Sequence, residues 1–242
     1  MRLDNRKFLT SKASGLLNGH RDYRHFVVLT RSRTGSSLLL DGLGSHPGVV
    51  VRGEVFRHSR PVPNSVLLST IWGRHARSTS AVGFKIFHYH PNDKRDEDLW
   101  KRIADTPQLH VLHLEREDTL SLVLSGATAA HRNAYHNYGG SASAAPEQFA
   151  VDTDKILRDL ERISEIRERR LAQFAHHRML SLDYSELQAD AEDVFSRCFT
   201  FLGIPSSKTH VALKPSTPTD YPSLIANYDT LISALTNAGW IR

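Results

Sequence analysis

A chain with a single cysteine, Cys198, cannot close an internal disulfide or build a thiolate metal site. Cys198 also stands at helical spacing from Val194 and Leu202, which predicts a buried apolar thiol and not a nucleophile. Long apolar runs are missing too. Nothing approaches the roughly 20 consecutive residues of a membrane span, and the opening MRLDNRKFLTSK has no apolar centre for a secretory signal. A soluble, cytoplasmic protein without a membrane span is expected. There is no lysine-rich arm and no alternating basic and aromatic tract, so the net charge of +5 is scattered. That distribution suits a compact anionic ligand better than nucleic acid. The phosphate loop GxxxxGK[ST] is absent, which disfavours NTP hydrolysis on a loop-bound Mg²⁺. The dinucleotide fingerprint GxGxxG is absent as well, because the GLG of residues 42–44 falls inside or beyond the first helix of the sheet region.

What is present reads as one domain over residues 1–242, with 40% hydrophobic and 24% charged residues. Short runs rich in Val, Ile and Leu recur at 25–29, 49–51, 81–87, 110–114 and 179–183. Helix-length segments separate them, as crossovers between parallel strands require. The expected architecture is a three-layer α/β sandwich around a central, mostly parallel sheet. Residues 152–175 place Ile156, Leu160, Ile163, Leu171 and Phe174 on one face, opposite a solvated charged face. The helix AEDVFSRCFTFL stops at Gly203, followed by Pro205. Residues 1–24 carry no clear element, 138–147 (YGGSASAAPE) read as a mobile loop, and a last short helix runs through Asn227 to Leu235.

Chemistry concentrates at two strand ends. TRSRTGSS, residues 30–37, lies where the first strand stops and a helix starts, the place where unpaired backbone N–H groups and the helix dipole attract anions. Gly35 allows close approach of backbone to ligand, Ser36 and Ser37 offer hydroxyls in the first helical turn, and Arg33 adds a permanent charge. A helix cap with solvent-facing arginines is the plainer reading of the same residues. At the end of the fourth strand, HLEREDTLSLVLSGA sets Arg116 ahead of a helix whose one face carries Ser121, Ser125 and Thr128. Lys85, inside the apolar GFKIF, is unusual unless its ammonium reaches the strand end or an anion. The 14 histidines include HYH at 88–90 and HRNAYH at 131–136, but neither pattern has the acidic or cysteine partners of a metal site, so no metal is expected. Trp72 and Tyr135 are candidates for stacking on a sugar or adenine, or for the core.

Taken in order, TRSRTGSSLL, RGEVF, GFKIF, LEREDTLSLVLS, LSLDYSEL, FTFLGIP and PSLIANYDTL resemble the sulfotransferases that use 3'-phosphoadenosine 5'-phosphosulfate (PAPS). The similarity is strongest to the bacterial carbohydrate and glycolipid branch that includes nodulation-factor and trehalose sulfotransferases. It implies a P-loop-like nucleotide-binding fold and a sulfuryl donor, PAPS, held without metal. By that resemblance Arg33, Thr34, Gly35, Ser36 and Ser37 bind the 5'-phosphosulfate, Arg116 and Ser125 grip the 3'-phosphate, and Lys214 adds a contact near the C-terminus. Many relatives have lysine where Arg33 stands; a guanidinium stabilises developing negative charge but is a poor proton donor.

The implied reaction moves a sulfuryl group to a hydroxyl of a small-molecule, carbohydrate or glycolipid acceptor, with Arg33 and Ser36 stabilising charge. Glu54, just after the second strand, is the first candidate for general base, with His58 and His88 as alternatives. Two other readings stay open: a metal-dependent nucleotide kinase of related architecture, and a non-catalytic protein that binds a nucleotide or sulfated glycan.

Overall fold

The computed structural model describes residues 2–131, 148–209 and 220–241. The segment ahead of the first strand forms a helix, α1 (Arg2–Asn18). Five strands follow, β1 (Arg24–Thr30), β2 (Val49–Arg52), β3 (Ala81–Phe87), β4 (His110–Glu115) and β5 (Arg178–Asp183). All pair in parallel, in the order β2-β3-β1-β4-β5. Each of the five expected strands is therefore present, and the sheet is wholly parallel.

Between them run α2 (Ser36–Ser45), α3 (Asn64–Ile71), α4 (Glu97–Ala104), α5 (Thr119–His131) and α6 (Thr153–Phe174), and after β5 come α7 (Tyr184–Ala189), α8 (Ala191–Leu202), α9 (Tyr221–Leu224) and α10 (Tyr228–Asn237). Local chemistry explains their ends. The side chains of Asp96, Asp152, Asp183 and Asp190 accept backbone N–H groups at the starts of α4, α6, α7 and α8. Asp183 and Glu186 form a reciprocal capping box, and α8 stops on Gly203 at φ 67°.

Because side chains alternate along a strand, the sheet buries two separate cores. Phe26, Val28 and Leu112 face α2 and α8, where Leu39, Leu43 and Phe195 complete one core. Val27, Leu29, Phe84 and Ile86 face the other side, with Trp100 of α4 and Phe174 of α6. Cys198 is fully buried in the first core, where loss of hydration pushes its thiol up to about 12. A smaller cluster joins α5, α6, α9 and α10 through residues such as Leu124, Leu160 and Leu231. Among the described residues no helix is long and apolar enough to cross a membrane.

This topology positions the site. The chain leaves β1 through α2, on the face of the first core, and leaves β3 through α4, on the opposite face. Neighbouring strands whose following helices diverge open a crevice at their C-terminal ends. The loop 31–35 and the end of β3 meet there.

Candidate functional site: two polar clusters at the strand ends

Residues 31–35 form a tight turn with two left-handed backbone positions, Arg33 at φ 67° and Gly35 at φ 74°. For Gly35 the conformation is inexpensive, and a β-carbon there would lie 2.4 Å from the ring of Tyr184, so only glycine fits. Arg33 has no such freedom. A bulky residue held in this region stores strain, which is characteristic of ligand-binding turns. The Thr34 side chain is used internally: its hydroxyl is fully buried, 2.7 Å from the Thr30 hydroxyl and 3.0 Å from the Arg31 carbonyl. Thr30 in turn donates to the Leu114 carbonyl at 2.7 Å, tying the loop to β4.

One cluster lies where this loop enters α2. Lys85 is 4% exposed, and its Nζ sits 3.4 Å from Ser36 Oγ and 3.5 Å from Ser37 Oγ. It pairs with Glu54 Oε1 at 3.1 Å and lies over the Phe87 ring. The lysine that looked out of place in an apolar strand thus extends along that strand to its end, as a long amphipathic side chain can. Glu54 pairs with Lys85, and Nε2 of His90, which has no hydrogen-bond partner among the described residues, lies 3.9 Å from its Oε2. His90 accepts the Phe87 N–H at Nδ1, which leaves the proton on Nε2, the nitrogen facing Glu54. Burial outweighs the attraction of Glu54 and lowers the His90 pKa to about 4, so the ring is neutral at physiological pH. Of the alternative bases, His58 is exposed, whereas His88 is buried at 1% exposure.

The second cluster gathers Arg33, Arg116 and Ser125. Nε of Arg33 donates to Ser125 Oγ at 2.9 Å, and Nη1 of Arg116 lies 3.5 Å from the Arg33 carbonyl. Arg116 rests on the face of Tyr184, 4.7 Å from the ring centroid, and its Nε is buried with no hydrogen-bond partner among the described residues. A buried guanidinium N–H without an acceptor is costly, and an anionic ligand would relieve that cost. Desolvation lowers the Arg33 pKa, with Tyr221 of α9 opposing it and Arg116 reinforcing it. Asp118, whose carboxylate accepts the Ser121 N–H at 2.9 Å, starts α5 so that Ser125 faces Arg33.

The two clusters belong to one crevice, because Arg33 and Ser36 are three residues apart on the same turn. The structure brings the side chain of Arg33 to Ser125, and sets Lys85 beside Ser36 and Ser37. Lys214, Tyr135 and the loop 138–147 lie outside the described residues. Trp72 packs against Phe84 and His25 and donates to the Val82 carbonyl, as part of the second core. Sequence reasoning did not assign His90, Tyr184 or Tyr221 to the site. For His90 the signal was present in HYH, but the tautomer depends on a backbone contact that no spacing rule reports. Among the described residues no group of His, Cys, Asp or Glu side chains is placed to hold a metal ion.

No protein-family model and no curated protein sequence matches the chain. Solved structures do. A sulfotransferase from Alicyclobacillus acidocaldarius superposes with a TM-score of 0.55 at 15% identity, covering 90% of this chain and 99% of that one. Mouse sulfotransferase SULT7A1, complexed with PAP, covers 98% of this chain and 90% of its own at 9% identity, with a TM-score of 0.47. The chain has the α/β fold of sulfotransferases, a parallel five-stranded sheet flanked by helices.

Proposed function

We propose that the protein is a sulfotransferase that takes its sulfuryl group from PAPS and passes it to a hydroxyl acceptor. The observation that carries this reading is the pair of adjoining clusters, Ser36–Ser37–Lys85–Glu54 and Arg33–Arg116–Ser125, at the ends of β3, β1 and β4. Two cationic sites joined by one turn suit a molecule with anionic groups at two ends, and the donor set fits: hydroxyls and an ammonium at one end, two guanidinium groups and a hydroxyl at the other.

When bound, PAPS supplies the activated sulfuryl group. Ser36, Ser37 and Lys85 would hold its 5' end and stabilise negative charge there. Arg116 and Ser125 would hold the 3'-phosphate. Arg33, bonded to Ser125 and three residues from Ser36, would stabilise charge between the two. Glu54 would accept the proton of the acceptor hydroxyl, oriented by its pairing with Lys85. The acceptor belongs to the small alcohols, carbohydrates or glycolipids implied by the sequence resemblance, and Lys214 stays a proposed donor contact.

Binding of the desulfated donor tests the reading. PAP should raise the melting temperature well above the effect of equal AMP or ATP, since ligand that binds only the folded state adds to its stability. Arg116→Ala should weaken PAP binding by about 1.5–3 kcal/mol, the scale of a charged hydrogen bond, while changing AMP binding little. Equal losses for PAP and AMP, measured by calorimetry, would remove the second phosphate site. Failure of the protein to prefer PAP over ATP, or a requirement for Mg²⁺, would favour the kinase reading instead.

A further inference from the structure

The turn carries a second arginine that the donor site leaves unused. Arg31 follows Val27 and Leu29 at two-residue spacing, the residues of β1 that face the core of α4 and α6. Its Nε is buried with no hydrogen-bond partner, and it forms no ion pair among the described residues. The neighbouring carboxylates whose charge it senses, Glu115 and Asp159, are already engaged. Arg167 binds Glu115 through two bonds, one of 2.6 Å, and Lys155 binds Asp159 at 2.6 Å. A guanidinium does not escape burial by losing its proton, so its Nε–H is left without an acceptor among the described residues.

His88, at the end of β3, shares this environment. It is 1% exposed, and neither ring nitrogen has a hydrogen-bond partner among the described residues. Its ring lies 5.6 Å from that of His113. Burial, then the charges of His113, Arg167, Arg31 and Arg170, hold it well below its ordinary pKa, so it is a neutral ring with one N–H to donate. Tyr89 links this group to the proposed acceptor site: its hydroxyl accepts the Ser32 N–H at 3.3 Å, and the phenol senses both Arg31 and Glu54.

We infer that Arg31 and the His88 N–H form an oxyanion subsite beside Glu54, and that the acceptor carries an acidic group as well as the hydroxyl to be sulfated. This rests on the sulfotransferase reading above and deepens it. The guanidinium fork takes a carboxylate or an ester sulfate through parallel N–H donors, and the neutral imidazole adds a donor without adding repulsion between cations. Neutral acceptors of the same shape leave Arg31 unsatisfied and are discriminated against by that cost.

The test uses protein labelled with ¹⁵N at arginine Nε and saturated with PAP, so that both donor clusters are filled. Benzoate, phenyl sulfate and neutral benzamide are titrated in turn, and the Arg31 Nε–H resonance is identified by its loss in Arg31→Lys. A saturable shift with benzoate, with phenyl sulfate or with both, but not with benzamide, is expected, and the pattern identifies the oxyanion preferred. Arg31→Gln should keep PAP affinity within twofold and lose at least tenfold in affinity for the responding anion. An Arg31 resonance that is unmoved by both anions, or moved equally by benzamide, overturns the subsite while leaving the donor site standing. If PAP moves no arginine resonance at all, the donor reading falls and the subsite with it. Loss of the resonance in either Arg31→Lys or Arg31→Gln identifies it, so one folded variant suffices to read the wild-type titrations.

Discussion

At the scale of single residues, the site depends on Lys85 reaching Ser36 and Ser37 while remaining paired with Glu54. A largely buried ion pair contributes little net stability, and removing one partner is costly because the other charge is stranded. Such an arrangement is better explained by chemistry than by folding. Glu54→Gln keeps the shape of the side chain and removes its basicity. It should lower kcat by about 10²- to 10⁴-fold, the range for general-base catalysis, with PAP affinity retained. A turnover within a few fold of wild type would shift the proton-accepting role away from Glu54. Much of this site was legible in the chain: an anion-seeking turn at 30–37, a displaced lysine at 85, an arginine at 116 nine residues before a helical serine. The partnership of Arg33 with Ser125 was not, because these residues are separated by 92 positions and meet only when β1 and β4 pair.

Elements hold the turn in place through close packing. Helix α2 lies so near α8 that a β-carbon on Gly42 would fall 2.0 Å from the ring of Phe195. Helix α2 carries Ser36 and Ser37 at its start, so any displacement of its middle by α8 tilts both hydroxyls relative to Lys85 on β3. Gly42→Ala should therefore destabilise the fold by about 1–3 kcal/mol, the usual cost of overpacking, measured by urea unfolding. PAP affinity should fall as well. A stable Gly42→Ala protein would show that α8 yields without cost. The strands themselves were readable from runs of Val, Ile and Leu between helix-length segments. Helix α1 was not recognised, since it has few apolar residues, and its place is set by contacts such as Phe8 in the second core and Lys7 donating to the Gly44 carbonyl at 2.8 Å.

For the molecule as a whole, the histidines make a prediction about acid. His75 and His90 are both buried, and loss of hydration, the largest cause in each case, lowers them to about 4. His88, His110 and His113 are shifted in the same direction, again with burial first. The unfolded chain, with histidines near 6.5, binds more protons than the folded one between those values, so stability falls as pH falls. The contribution is fully present above about pH 6.5 and is lost as pH descends through about 4. By pH 5 His75 and His90 should each cost about 2 kcal/mol on this basis. The urea midpoint should therefore drop steeply between pH 7 and 5; an unchanged midpoint would mean that these rings gain protons without penalty.

Periodicity and end signals in the chain were enough to specify a parallel α/β sheet, the turn at its first strand and the residue types suited to gripping anions, because those features depend on neighbours a few positions apart. Which charge meets which hydroxyl was decided by folding. Strand order set β1 between β3 and β4, which put Lys85 against Ser36 and Arg33 against Ser125, and set β2 beside β3, which brought Glu54 to Lys85. Partners so distant in the chain have no local pattern to announce them, since their separation is governed by which strands lie side by side.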